Sequence, residues 1–232
     1  PTPTPTPTPT RTPRPTRTPT ATPTPAGKIS VPSSMNFPNT GIGSSSSKTL
    51  TIKNNGDGAL SGNLAIGQPS NGFGVGSGTF SVPADSSTPV TITFAPGAAG
   101  SLTATLTINS NDPSNPTVNV TLTGSGEGGK LSAPNNLSIT SPIGQTTTAT
   151  LTLENKGKGV LTGTVSDESG DPEFSVGGAP VPLNIAAGES QAVSVSFTPA
   201  AKGKAVPATV AITVDAPSTG STTVNLKGTG QE

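Results

Sequence analysis

The chain has no cysteine, histidine, tryptophan or tyrosine, and six phenylalanines are its only aromatic residues. Without histidine or cysteine it lacks an imidazole base, a thiolate nucleophile and thiolate metal ligands, which argues against Ser-His-Asp or Cys-His catalysis. Without tryptophan and tyrosine it lacks the usual platforms for stacking sugars or bases. An exported form would have to fold without disulfides. These absences predict a non-enzymatic protein that needs no cofactor and no metal.

Charge is also scarce, because only 10% of the residues are charged and 12 basic residues balance 12 acidic ones. All three arginines, Arg11, Arg14 and Arg17, lie in the first 26 residues, which leaves nine lysines against twelve acidic residues in the rest. The sequence has no dense basic patch, so it does not indicate a nucleic-acid partner. The sequence contains no run of 18 apolar residues, so no membrane span is predicted.

Residues 1–26 consist of 10 proline, 11 threonine, three arginine and two alanine residues. Proline lacks an N–H donor and fixes φ, so this composition excludes a helix or a central strand. It predicts an extended tail similar to polyproline II, about 80 Å long at 3.1 Å per residue. Because position 1 is Pro and not Met, we expect a processed N-terminus or a trimmed piece of a longer precursor.

The tail carries two kinds of candidate site. Threonines flanked by proline are typical of O-glycosylated stalks, although a bare spacer would have the same composition. The candidate O-glycosylation sites are Thr2, Thr4, Thr6, Thr8, Thr10, Thr12, Thr16, Thr18, Thr20, Thr22 and Thr24. Arg11, Arg14 and Arg17 repeat every three residues, as polyproline II does, so they would share one side and contact an acidic neighbouring subunit. A role in solubility is the alternative.

The rest of the chain repeats itself at an offset of just over 100 residues, which predicts two copies of one domain, 27–127 and 128–232. The matching segments are KISVP at 28–32 and KLSAP at 130–134, TLTIKNNG at 49–56 and TLTLENKG at 150–157, and LTGSG at 122–126 and LKGTG at 226–230.

Within each copy apolar residues alternate with threonine and serine, as at Leu50 and Ile52. This period of two predicts antiparallel sheets with one buried face. We expect about seven strands per copy, which in the first copy are 29–37, 48–54, 60–67, 72–82, 88–94, 101–109 and 117–123. The predicted fold class is all-β, with two tandem immunoglobulin-like β-sandwiches after an extended polyproline-II-like Pro/Thr tail.

Three motifs of the first copy resemble one group of immunoglobulin-like domains: FAP at 94–96 followed by Gly100, LTINSNDP at 106–113, and VTLTGSG at 120–126. The resemblance is to the choice-of-anchor D and ASPM/SPD-2/Hydin (ASH) domains. It implies tandem modules with structural or binding roles and no shared catalytic residues. The second copy departs from the pattern at 214–217, where VDAP replaces the SNDP turn.

Several polar residues outside the tail are candidate sites with simpler alternatives. Oxygen atoms of Asp167, Glu168, Asp171 and Glu173 would suit a hard cation, but a solvated loop would have the same composition. Oxygen atoms of Asn109, Asn111 and Asp112 would also suit a cation, but Asn, Asp and Pro together are typical of a turn.

Two further predictions concern surface residues. Asn119 and Asn136 begin N-glycosylation sequons, which also arise by chance in a chain rich in threonine and serine. Phe73 lies between two glycines and is either a protruding contact residue or part of the core.

The arrangement favours a non-enzymatic bacterial protein that works outside the cell or at the cell surface. The first hypothesis is a subunit of a filament or surface assembly made of copies of itself, with the tail lying laterally on neighbouring subunits. Covalent glycans would then coat the tail. The second hypothesis is a secreted accessory binding or adhesion module, joined by the Pro/Thr linker to an enzyme or a surface anchor.

Overall fold

The computed structural model describes residues 1, 2, 4, 25–168, 170–205 and 207–232, and these residues form twenty β-strands and no helix. The strands of the first copy are β1 (Ile29–Ser30), β2 (Ser34–Asn36), β3 (Thr40–Gly41), β4 (Ser46–Asn54), β5 (Leu60–Ile66), β6 (Phe73–Val75), β7 (Thr79–Val82), β8 (Ser87–Phe94), β9 (Gly100–Ser110) and β10 (Thr117–Glu127). Those of the second copy are β11 (Leu131–Ser132), β12 (Asn136–Pro142), β13 (Thr147–Asn155), β14 (Leu161–Asp167), β15 (Phe174–Val176), β16 (Val181–Ile185), β17 (Ser190–Phe197), β18 (Gly203–Lys204), β19 (Ala208–Val214) and β20 (Thr222–Gln231).

Each copy is a sandwich of two sheets. In the first copy the strand orders are β1-β4-β8-β6 and β2-β10-β9-β5-β7, and β3 also pairs with β10. The second copy has the same two strand orders, β11-β13-β17-β15 and β12-β20-β19-β14-β16, and its short strand β18 pairs antiparallel with β20. The prediction of an all-β fold with two tandem immunoglobulin-like sandwiches is therefore confirmed.

Each sandwich has its own core, built by the alternation seen in the sequence. In β4, for example, Leu50 and Ile52 are fully buried while the intervening side chains face solvent. Burial of such side chains contributes about 1.5–3 kcal/mol each, relative to leaving them exposed. The two cores contain separate sets of residues, and the described residues of each set come from one copy only.

Two glycines in the repeated LTGSG and LKGTG motifs make room for aromatic rings. A Cβ atom on Gly124 would lie 2.6 Å from Cε1 of Phe94, and one on Gly228 would overlap the ring of Phe197. Phe94 in turn stacks on Phe73, with ring centroids 4.5 Å apart. The motif is repeated because each copy places one large ring under its last strand.

Two of the predicted strands are each divided between the two sheets. The predicted strand 29–37 forms β1, which pairs antiparallel with β4, and β2, which pairs parallel with β10. Pro32 lies between them and has no N–H to donate to a ladder. The predicted strand 72–82 likewise forms β6 and β7, separated by Gly76-Ser77-Gly78.

Candidate functional site

A loop with the sequence Asn-X-Gly-X-Gly ends the same strand in each copy, and we call residues 54–58 and 155–159 the asparagine loops. Asn54 is only 1% exposed. Its Oδ1 accepts hydrogen bonds from the N–H groups of Lys28 (3.0 Å) and Gly56 (3.1 Å). Its Nδ2 donates to the carbonyl oxygens of Gly58 (2.8 Å) and Val82 (3.1 Å). One side chain thus joins the start of the domain to two loops.

Asn155 repeats this pattern in the second copy and is fully buried. Its Oδ1 accepts from the N–H groups of Lys130 (3.0 Å) and Gly157 (2.9 Å). Its Nδ2 donates to the carbonyl oxygens of Gly159 and Ile185, both at 2.8 Å. The repeat of Asn-X-Gly-X-Gly in the two copies is the signal in the sequence that these loops share a specific role.

The glycines of the asparagine loop let the tail come close to the first domain. A Cβ atom on Gly58 would overlap the carbonyl of Pro25, and one on Gly56 would overlap the carbonyl oxygen of Ala26. The N–H of Gly58 donates to that Ala26 oxygen at 3.1 Å. The last residues of the Pro/Thr tail are therefore fixed against this loop.

The tail and the second domain attach at opposite ends of the first sandwich. The tail is held at residues 54–58, directly after β4. The second domain contacts residues before β4, since Lys158 Nζ donates to the carbonyl oxygen of Asn39 at 3.3 Å. The nine residues of β4 separate these two points by about 30 Å.

The turn between β9 and β10 uses its polar residues for structure. Asn111 Oδ1 accepts from the N–H of Ser61 (2.9 Å), and Asn109 Oδ1 accepts from the hydroxyl of Thr117 (2.8 Å). Asp112 is 2% exposed and its Oδ2 accepts from the N–H of Ile29 at 3.0 Å. These contacts support the turn interpretation of the three residues.

Burial alone would raise the pKa of the Asp112 carboxyl, because it penalises the charged form. Hydrogen bonds from the N–H groups of Ile29, Ser114 and Asn115, and from the Asn115 side chain, outweigh that effect. The net result is a pKa below the usual value for aspartate. Asp112 is therefore a buried carboxylate that ties β1 to a distant turn.

The acidic residues after β14 also bind backbone groups. Asp171 Oδ1 accepts from the N–H of Glu173 (2.9 Å), and Glu173 Oε1 accepts from the N–H of Ala200 (2.7 Å). Across the part of the chain that the structure describes, no three acidic, histidine or cysteine residues group as a metal site would require.

The predicted modification sites have different outcomes. Asn119 and Asn136 are both exposed, on β10 and β12. Thr2 and Thr4 are described and exposed, but the remaining candidates lie outside the described residues. These are Thr6, Thr8, Thr10, Thr12, Thr16, Thr18, Thr20, Thr22 and Thr24, together with Arg11, Arg14 and Arg17. The glycosylation and arginine-contact hypotheses therefore stay predictions.

Phe73 is not a protruding contact residue, and that prediction was wrong. It is only 4% exposed and packs between Phe37 and Phe94, at centroid distances of 5.5 and 4.5 Å. The two flanking glycines suggested a loop tip, but burial of a large apolar ring is more favourable than its exposure. Phe73 belongs to the core of the first domain.

An open groove of about 690 Å³ lies on the outer face of the second domain. It forms beside the break between β18 and β19, whereas β9 is continuous at the matching place in the first domain. Its polar lining residues are Asn136, Ser138, Thr140, Lys204, Asn225, Lys227 and Thr229. Two lysines and no acidic residue are among the described residues that line it, so the groove is basic.

The fold and these loops define a tandem pair of immunoglobulin-like domains. Residues 26–118 match the family model "Abnormal spindle-like microcephaly-assoc'd, ASPM-SPD-2-Hydin" (ASH). Residues 132–229 match the model "HYDIN/CFA65/VesB-like, Ig-like domain". The chain thus carries two consecutive domains of the ASH and HYDIN/VesB-like group, as the resemblance implied.

Solved structures with this type of fold are distant in sequence. The ASH/PapD-like domain 7 of human CEP192 is 18% identical, over 44% of this chain and 86% of that one, with a TM-score of 0.38. A Porphyromonas gingivalis protein of unknown function is 16% identical, over 87% and 99%, with a TM-score of 0.37. The secreted serine protease VesC of Vibrio cholerae is 12% identical, over 73% and 46%, with a TM-score of 0.35.

No curated protein matches the chain. In the described part of the chain, no helix is long and apolar enough to cross a membrane.

Proposed function

We propose that the chain is a non-enzymatic binding or adhesion module that works outside the cell at the end of a Pro/Thr stalk. The observation that carries this proposal is the contact of Pro25 and Ala26 with the first asparagine loop. That loop lies at the end of the first sandwich remote from the second domain. In this proposal the chain that precedes Pro25 acts as a tether attached at this end of the first domain.

The composition supports the same proposal. The chain lacks the histidine and cysteine of common catalytic sites, and its buried polar side chains Asn54, Asp112 and Asn155 bind backbone groups. Domains of the matched families occur as tandem modules with structural or binding roles.

The basic groove of the second domain is the binding site that we propose. Lys204 and Lys227 supply positive charge, and Asn136 and Asn225 supply amide groups that bind hydroxyls. The lack of tryptophan and tyrosine disfavours neutral sugars, which proteins usually stack on aromatic rings. The groove is therefore best suited to an acidic polysaccharide.

Binding of heparin, as a probe acidic polysaccharide, tests this site. We expect the full chain to bind it in isothermal titration calorimetry, more weakly at high salt because screening weakens charge contacts. The double variant Lys204→Glu and Lys227→Glu should lose at least about tenfold in affinity, which is about 1.4 kcal/mol.

The matched control is Lys48→Glu with Lys53→Glu, which makes the same charge change at two exposed positions of β4. It should bind as the wild type does. Equal weakening by both double variants would show only a response to net charge, and no binding at low salt would contradict the proposed ligand class.

A subunit of a filament or surface assembly is the second candidate function. The outward positions of strands such as β8 and β10 carry mainly threonine and serine and few charges. Charged residues on exposed strands normally oppose association between sheets, so faces with few charges favour contact between copies. The tail would then lie laterally on neighbouring subunits, as the first sequence-based hypothesis has it.

A further inference from the structure

Several close contacts join the two domains. On the first domain they involve Asn39, Gly41 and Glu127, and on the second they involve Lys158 and Gly159 of its asparagine loop. Lys158 Nζ donates to the carbonyl oxygen of Asn39 at 3.3 Å and lies 3.7 Å from Oε2 of Glu127. Asn39 Nδ2 donates to the other oxygen of Glu127.

Gly41 brings the two backbones into direct contact. It is buried, and a Cβ atom there would overlap the carbonyl group of Lys158 and lie 3.0 Å from the nitrogen of Gly159. All three atoms nearest to that Cβ belong to the second domain. Gly41 is therefore required by the contact between domains and not by the core of its own domain.

We propose that Asn39, Gly41 and Glu127 form a docking socket for the asparagine loop of the second domain, and that this socket holds the pair as one rigid unit. The exposed ion pair alone would add little, because water screens the attraction between exposed charges. Close backbone packing at Gly41 supplies the shape that fixes the angle. Without such packing, two domains joined by Gly128-Gly129 would move independently.

The other end of the second domain is not built as a socket. The Thr40 hydroxyl bonds to the Ser46 hydroxyl, and Ser141 bonds to Thr147 in the same way, both at 2.9 Å. This match places Pro142 at the position of Gly41. The proline ring would occupy the space that an incoming loop needs. The joint is therefore particular to this pair of domains. The role of the socket does not depend on the proposed binding function.

Spin labels on the full chain test the socket by pulsed electron–electron distance measurement. Because the chain has no cysteine, Thr51→Cys and Thr152→Cys place one label on an exposed strand position of each domain. We expect one narrow distance distribution. In a Gly41→Ala background we expect the width to rise at least about twofold, as independent domain motion requires.

Gly97→Ala is the matched control, since a Cβ atom at Gly97 meets nothing within 4 Å. It should leave the distribution unchanged. Glu127→Arg, which places a positive charge beside Lys158, should also broaden the distance distribution. This variant replaces Gly41→Ala in the test if Gly41→Ala does not fold. A broad distribution in the wild-type background, or a narrow one in both variants, would overturn the proposal.

Discussion

Asn54 and Asn155 occupy the same position in the two domains, and each buried side chain binds at least four backbone groups. Buried backbone N–H and C=O groups are costly when they lack a partner. In each domain a single side-chain amide thus supplies hydrogen-bond partners for backbone N–H and C=O groups that would otherwise be unpaired. The same amide also fixes the point at which the chain enters the domain.

Replacing Asn54 by Ala should therefore destabilise the first domain strongly. The change leaves several buried backbone groups unpaired, and we expect the free energy of unfolding to fall by about 2–4 kcal/mol. Urea unfolding of the full chain measures it. The neighbouring Asn55 is exposed, so Asn55→Ala should change stability by less than about 0.5 kcal/mol. Equal effects of the two changes would contradict the role given to Asn54.

The short strand β1 illustrates how one element depends on a distant turn. β1 pairs with β4 through only two residues, Ile29 and Ser30. The N–H of Ile29 bonds to Asp112, 83 positions further along the chain. The carboxylate thus supplies a partner that the small ladder of β1 does not.

The stability of this attachment should depend on pH. The folded-state pKa of Asp112 lies below its unfolded value of about 3.9, so its contribution is complete above that value. The contribution is lost as the pH falls through the lowered folded-state pKa. Asp112→Asn should cost about 1–3 kcal/mol at pH 7 and should flatten the loss of stability below pH 4.

Chemical denaturation between pH 2 and 7 measures this dependence. Asp57→Asn, an exposed change of the same kind, is the control and should leave the curve close to that of the wild type. An Asp112→Asn variant with the acid sensitivity of the wild type would contradict the assignment.

For single strands, the alternation of apolar residues predicts elements such as β4, β8 and β10, because the burial pattern of a half-buried strand repeats every two residues. It does not predict that residues 29–37 change sheets, because that depends on which neighbour each half meets. The glycine neighbours of Phe73 leave both a loop tip and a core position open, and only its packing against Phe37 and Phe94 decides for the core. The contact of Gly41 with Lys158 joins residues 117 positions apart, and no local pattern in the sequence indicates it.

For the whole molecule, removal of the tail distinguishes the two candidate functions, a binding module on a stalk and a subunit of an assembly. If the tail is a stalk, the full chain and a chain lacking residues 1–24 should both be monomers in sedimentation at micromolar concentration. If the tail ties copies together, the full chain should form polymers by electron microscopy and the truncated chain should not. We expect the first result. Polymers that require the tail would contradict the stalk and favour the assembly subunit.

The parallel pairing of the terminal strands has a mechanical consequence for a tethered protein. In the second domain, β12 and β20 pair in parallel through seven residues, Asn136–Pro142 with Asn225–Gln231. Pulling on the two ends of that domain would slide these strands past one another and load their hydrogen bonds together. In the first domain the parallel pairing with β10 is shorter and divided, with three residue pairs from β2 and two from β3, so under tension the first domain would yield before the second.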